Sequence, residues 1–101
     1  MNPKIIQGLK NAKLAFPEAS FIVFGSHARG TARADSDLDL CALFPVLTKD
    51  PFALAYEVRR EIHKFLDIAL DVVICDEPRF STRGREQWTI EHAIQAEGIH
   101  I

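Results

Sequence analysis

The segment FGSHARGTARADSDLDL, residues 24–40, contains the pair Gly25-Ser26 and, after the ten residues 27–36, the acidic triplet Asp37-Leu38-Asp39. A Gly-Ser turn presents backbone N–H groups and a hydroxyl to phosphate oxygens. Two carboxylates one residue apart on a strand point the same way and can share divalent metal ions. The segment therefore predicts a site that holds a nucleoside triphosphate together with metal ions.

Apolar, β-rich runs on either side of this segment predict strands. Ser20–Phe24 stops abruptly at Gly25, and Leu38–Phe44 begins at the acidic residues. The Gly-Ser pair thus lies at the C-terminal end of one strand, whereas the acids lie at the N-terminal end of the next. These groups meet only if the two strands are antiparallel neighbours, or nearly so.

A third apolar run, Leu70–Cys75, carries Asp71 near its start. Residues 45–69 connect it to the second strand and are long enough for a helix in a parallel crossover. Asp71 then lies beside Asp37 and Asp39. The expected fold class is α/β (α+β), a small mixed β-sheet packed with helices that gathers three carboxylates at one edge.

Two helices are expected to begin at prolines and to bury one face each. The first begins at Pro3 and is ended by Pro17, and the second begins at Pro51. Apolar residues recur at helical spacing in both and predict the buried faces. These residues are Ile5, Leu9, Ala12 and Phe16 in the first helix, and Phe52, Ala55, Val58, Ile62 and Phe65 in the second.

The remaining segments give weaker patterns. Residues Arg29–Asp35 are mostly small and charged, which fits a short helix or a loop. Thr82–Glu97 is expected to form a last helix that ends at Gly98. Trp88 and the phenylalanines are expected to lie in the core, although Trp88 on that last helix also suits a partner surface.

Length and composition indicate a single domain, residues 1–101, of ordinary globular type. Lysine and arginine total 12 against 14 acidic residues, a net charge of −2, which argues against a duplex nucleic-acid binder held by general basicity. Cys41 and Cys75 each lie in an apolar run and are expected to be reduced core residues. No apolar run has the length of a membrane helix, so we expect a cytoplasmic protein without membrane contact.

The acidic cluster has a physical cost that implies a ligand. Two carboxylates about 4 Å apart repel by roughly 4 kcal/mol at an effective dielectric constant of 20, so the cluster takes up protons or binds cations. Oxygen ligands favour magnesium or manganese over zinc. Asp37 and Asp39 are expected to bridge two metal ions, while Asp71 holds the catalytic metal or accepts the proton of an attacking hydroxyl.

These residues resemble the minimal nucleotidyltransferases (MNT) of the DNA polymerase β-like superfamily. The likeness covers nearly the whole chain, and its central motif occurs in order at the expected spacing. Leu70-Asp71-Val72-Val73 looks like the third-carboxylate strand, and Ala96-Glu97-Gly98-Ile99 resembles the usual chain end. The residues that match the central motif are Gly25, Ser26, Arg29, Gly30, Ser36, Asp37, Asp39 and Leu40.

The resemblance implies a polymerase β-like nucleotidyltransferase fold and the magnesium-dependent transfer of AMP from ATP. Carried over by position, the catalytic and metal-binding residues are Asp37, Asp39 and Asp71, and the nucleotide-binding residues are Gly25, Ser26, Arg29 and Ser36. Many such minimal proteins look like antitoxins that neutralise a HEPN-type ribonuclease toxin by adenylylating a tyrosine, or by binding it. The resemblance therefore implies assembly with a toxin protein and no direct contact with nucleic acid.

Three hypotheses remain open from the sequence. The chain is an enzyme that adenylylates a partner protein, an antitoxin that acts by contact alone, or a stand-alone transferase for a small molecule or nucleic acid. Relatives that modify aminoglycosides carry an extra helical domain for the acceptor; none is expected within these 101 residues, and this favours an acceptor on another protein. Some candidate residues also have an ordinary structural interpretation. Arg29 and Arg33 could form surface ion pairs, and His27 could lie in an exposed turn. Asp67 is a second candidate for the third acid beside Asp71.

Overall fold

A computed structural model describes residues 1–101 as five helices and four strands. In chain order these are α1 Pro3–Lys13, β1 Ser20–Phe24, α2 Ser26–Arg29, β2 Leu38–Phe44, α3 Pro51–His63, β3 Leu70–Asp76, α4 Glu77–Arg83, α5 Ile90–Glu97 and β4 Ile99–His100. The predicted strands therefore agree with the structure to within one residue at their ends.

The four strands form one mixed sheet in the order β3-β2-β1-β4. Strand β2 pairs with β1 in antiparallel fashion and with β3 in parallel fashion, which confirms both predicted pairings. Strand β4 pairs with β1 through Val23 and Ile99. The sequence pattern did not predict β4, because two residues are too few to show an alternation.

Alternating side chains of the sheet pack on two helical layers. On one face, Phe21 and Val23 join the apolar side chains of α1 and α3 in the larger buried cluster. On the other face, Ile22 and Cys41 join Ile94 of α5, with Phe80 of α4 at the margin. The sheet is thus buried on both faces, as the continuous apolar strands require.

Helix α1 ends earlier than predicted. Asn2 caps it by accepting a hydrogen bond from the Lys4 N–H at 2.8 Å. The helix stops at Lys13 rather than at Pro17, because the proline disfavours helical geometry in the residue before it. The chain tightens instead, and the Phe16 N–H donates to the Lys13 carbonyl at 2.8 Å. Phe16 is nevertheless buried, as predicted.

The buried face of α3 differs from the prediction. The buried stripe is Leu54, Val58 and Ile62, spaced four residues apart. Phe52 is 86% exposed and Phe65 is 49% exposed, so neither belongs to the core. Phe65 lies beyond the last helical residue, and the spacing of the buried stripe places Leu54, not Phe52, against the sheet.

The predicted last helix is two helices, α4 and α5, separated by residues 84–89. Thr89 begins α5 by accepting a hydrogen bond from the His92 N–H at 3.1 Å. Gly84 ends α4 where a Cβ atom would overlap the amide of Gln95, so the two helices approach closely there. Trp88 lies in the connection and is 83% exposed, which makes its predicted core position wrong. Gly98 ends α5 as predicted.

Cys41 and Cys75 are buried free thiols, as predicted. They lie on neighbouring strands in the smaller apolar cluster. None of the helices has both the length and the apolar character needed to cross a membrane.

The burial pattern predicts how two phenylalanines differ in their effect on stability. Phe21→Ala removes a ring that is 0% exposed and should lower the free energy of unfolding by about 3–5 kcal/mol. Phe52→Ala, at an 86% exposed position, should change it by less than about 0.5 kcal/mol. Urea unfolding followed by circular dichroism measures both, and equal losses would contradict the packing described here.

Candidate active site

The sheet register brings the predicted site residues to one edge. Asp39 lies opposite Phe24 on β1, so the Gly25-Ser26 turn begins directly beside it. On the other side, Asp39 lies opposite Asp71 on β3. Asp37 immediately precedes β2, and the Leu38 N–H next to it donates to the Ala69 carbonyl at 2.8 Å. Backbone pairing therefore places the turn and the three acids at one edge of the sheet.

The three carboxylates differ in their exposure to solvent. Asp39 is half-buried, whereas Asp37 and Asp71 are exposed. Asp39 shares its sheet face with Cys41, two residues further along β2, and this face packs against α5. The edge is thus closed on the side of the helices and open toward solvent at Asp37 and Asp71.

Burial and neighbouring charge raise the pKa of Asp39 above its ordinary value. Loss of solvation is the largest cause, and the negative charges of Asp71 and Asp37 add to it. His27 and Arg29 oppose the shift in pKa only in part. The edge therefore concentrates negative charge, and a bound cation would relieve the repulsion.

The donor atoms of this edge fit magnesium in chemistry and charge. All three candidate ligands are carboxylate oxygens, the type that magnesium prefers. No three histidine, cysteine or acidic side chains converge closely enough to form a ready-made metal site. The strand register thus confirms that the three acids lie at one edge of the sheet, but their side chains do not form a preset cluster of metal ligands.

Gly25 is required at its position by both conformation and space. Its φ of 73° and ψ of −153° lie in a region that only glycine adopts readily. A Cβ atom there would overlap the Oδ2 atom of Asp39. The turn thus packs directly on a carboxylate of the acidic edge, and the half-buried Ser26 begins α2 immediately after it.

Arg29 and the Gly25 backbone share one partner, Glu97. The Nη1 atom of Arg29 donates to both Glu97 carboxylate oxygens, at 3.2 and 3.1 Å. The Gly25 N–H donates to Oε1 of the same carboxylate at 3.1 Å. The hydrogen bond from Arg29, and then that from Gly25, lowers the pKa of Glu97. The sequence pattern did not single out Glu97 as a site residue, and its position directly before Gly98 was the available signal.

Ser36 closes the loop between α2 and β2. Its hydroxyl oxygen accepts a hydrogen bond from the Arg33 N–H at 2.8 Å. Its carbonyl oxygen lies 3.3 Å from Nε2 of His27. Both contacts shape the loop, and nucleotide binding by Ser36 stays a prediction.

Arg33 forms none of the ion pairs of the chain, and Asp67 does not contribute to the shifted pKa of Asp39.

Substituting alanine at Gly25 and at Gly30 should destabilise the chain unequally. Both glycines have positive φ, 73° and 76°, but Gly30 has left-handed helical geometry and nothing lies within 4 Å of a Cβ built on it. Gly30→Ala should cost about 1–2 kcal/mol of stability through its backbone alone. Gly25→Ala should cost more, because its φ and ψ lie in a region that is essentially restricted to glycine and because the new methyl group also displaces the Asp39 carboxylate. Thermal unfolding of both variants checks this, and equal losses would contradict the conformation and packing described for Gly25.

Comparisons with known proteins agree with this geometry. The family described as nucleotidyltransferase domain matches residues 4–95. A toxin-antitoxin structure with AMP-PNP is 25% identical with a TM-score of 0.61, over 96% of this chain and 68% of that chain. A mutant of the toxin-antitoxin MntA-HpeT is 21% identical with a TM-score of 0.58, over 99% of this chain and 72% of that chain.

A further solved structure supports the fold. A protein of Sulfolobus solfataricus described as a nucleotidyltransferase is 21% identical with a TM-score of 0.53, over 99% of this chain and 87% of that chain. No curated protein matches the chain significantly. Because the family match extends over nearly all of the sequence, including Gly25, Ser26 and all three acids, the chain belongs to the nucleotidyltransferase domain family.

Proposed function

We propose that this chain is the antitoxin of a toxin-antitoxin pair and transfers AMP from ATP to a tyrosine of a HEPN-type ribonuclease toxin. The observation that carries the proposal is the register in which Asp39 lies between the Gly25-Ser26 turn and Asp71. Support for the biological setting comes from the toxin-antitoxin structure with AMP-PNP, which shares 25% identity with this chain. The family supports the transferase activity.

The proposal assigns a role to each group at the edge. Gly25, Ser26, Arg29 and Ser36 bind the nucleotide, and Asp37, Asp39 and Asp71 form the catalytic and metal-binding set. Magnesium ions bound by these carboxylates would neutralise the triphosphate and favour ionisation of the attacking hydroxyl. Asp39 is half-buried next to the negative charges of Asp71 and Asp37. Bound cations would relieve this repulsion, which supports the assignment.

The proposed transfer forms one bond to phosphorus, breaks another and moves one proton. The tyrosine oxygen bonds to the α-phosphorus of ATP, and the bond from that phosphorus to the bridging oxygen breaks. Pyrophosphate leaves, and the proton of the hydroxyl passes to the Asp71 carboxylate. Asp71 is exposed, so an acceptor carried by another protein can approach it from solvent.

Neutralisation by contact alone is the second candidate function. In its favour, the Gly25-Ser26 turn and the half-exposed Arg29 guanidinium supply donors for phosphate that do not depend on the acids. In this alternative the edge binds a nucleotide without transferring any part of it. The two candidates differ in whether the acids are needed for neutralisation.

Labelled ATP separates the two candidate functions. The chain is incubated with ATP labelled at the α-phosphate, magnesium and a HEPN-type toxin, and the label on the toxin is measured after electrophoresis. Asp39→Asn should reduce labelling by at least about 100-fold, because it removes a carboxylate from the metal-binding set. Asp67→Asn is the matched control, since Asp67 is an exposed acid outside β3, and it should label as the wild type does.

Two outcomes would contradict the catalytic proposal. Undiminished labelling by Asp39→Asn would remove Asp39 from the reaction. Absence of label from the toxin, with the Asp39→Asn variant still protecting RNA from it, would instead favour neutralisation by contact.

A further inference from the structure

Glu97 joins the C-terminal end of α5 to the Gly25-Ser26 turn. Its partners lie 72 and 68 positions earlier in the chain, at Gly25 and Arg29. Strand β4 follows Glu97 after Gly98 and pairs with β1 at Val23 and Ile99, close to the end of β1 that leads into the turn. Backbone pairing therefore fixes the helix end beside the turn, and the Glu97 side chain completes the connection.

The contact gathers two groups that are proposed to bind the nucleotide. The Gly25 N–H and the Arg29 guanidinium come from opposite ends of α2, yet both donate to one carboxylate. Gly25 also packs against the Asp39 carboxylate. The turn is thus held between a carboxylate of the acidic edge and one of α5, which fixes its distance from the acids.

Helix stability does not explain a glutamate at this position. Glu97 is the last residue of α5, where the helix dipole disfavours a negative side chain, and no basic residue lies in that last turn. The Arg29 guanidinium, from outside the helix, supplies the positive charge. The contacts of Glu97 with Gly25 and Arg29, rather than helix stability, therefore explain a glutamate at this position.

Arg29 retains free donors while it contacts Glu97. Only Nη1 donates to the carboxylate, so Nε and Nη2 have no part in this contact. The Arg29 side chain is 53% exposed. One end of the guanidinium is thus anchored, and the other remains available to a phosphate oxygen.

We infer that Glu97 is a positioning residue for nucleotide binding: it orients the Arg29 guanidinium and anchors the Gly25-Ser26 turn so that both meet the triphosphate of ATP. The inference rests on the proposed nucleotide binding. Glu97 acts through Arg29 and Gly25 and does not itself contact the substrate.

Whether the Kd for AMP-PNP rises or falls when Glu97 is replaced tests this role. Glu97→Gln keeps an acceptor for the Gly25 N–H but loses the charged contact with Arg29. If Glu97 positions Arg29, the Kd for AMP-PNP with magnesium should rise about 3- to 10-fold, because an unanchored side chain must be ordered on binding. If the carboxylate instead competes with phosphate, its removal should lower the Kd.

Glu61→Gln is the matched control. Its ion pair with Lys64 has the same side-chain exposures as that of Arg29 with Glu97, 53% and 26%, and it lies on α3 away from the acidic edge. Calorimetric titration with AMP-PNP should give a Kd within about twofold of wild type for this variant, since an exposed ion pair contributes little by itself. In the labelling assay, Glu97→Gln should raise KM for ATP and leave kcat within about twofold.

Amide exchange provides a readout without nucleotide. Glu97→Ala removes the acceptor of the Gly25 N–H, so exchange of that amide should accelerate, whereas Glu61→Ala should leave it unchanged. An unchanged or lowered Kd for Glu97→Gln, or unchanged exchange at Gly25 in Glu97→Ala, would overturn the inference. A wild-type chain that binds no AMP-PNP would overturn the proposed function, and with it this inference.

Discussion

Strand β2 is hydrogen-bonded on both sides, and these two pairings assemble the sheet edge that carries the site. One pairs Asp39 with Phe24 and so brings the Gly25-Ser26 turn to the acids, and the other pairs Asp39 with Asp71. A shift of one residue in β2 would turn every side chain to the other face. Asp39 would then face the larger apolar cluster, where an ionised carboxylate has no partner. Burial of Leu38 and Leu40 on the correct face therefore also sets the site.

The site is assembled against its own electrostatics. Burial and two neighbouring carboxylates raise the pKa of Asp39, which means that the ionised form is disfavoured in the folded chain. Apolar packing on both faces of the sheet offsets that cost. At the turn, by contrast, the opposite charges of Glu97 and Arg29 compensate each other. The arrangement favours a ligand that combines cations with phosphates.

Local patterns made the strands and the placement of most candidate site residues predictable. The apolar run of β2, the glycine at the end of β1 and the acids at the strand starts are short-range signals, and they predicted both pairings. Tertiary contacts decide what the sequence pattern did not predict. The last helix is broken where Thr89 caps the start of α5 in a connection that packs against α4, and the contact of Glu97 depends on a turn 72 positions away. The exposed Phe52 shows that spacing alone does not select which helical face is buried.

One register brings the Gly-Ser turn and the three acids to the same edge, where they should bind one ligand. Titration with Mn²⁺ in the presence of AMP-PNP, followed by paramagnetic broadening of backbone amide signals, checks this. The amides of Ser26, Asp39 and Asp71 should broaden first and together at substoichiometric Mn²⁺, while those of Glu57 and Glu61, which lie near Phe44 at the other end of β2, should broaden less. Broadening that is strongest at the α3 acids, or that reaches Asp71 without Ser26, would show that the turn and the acids do not share a ligand.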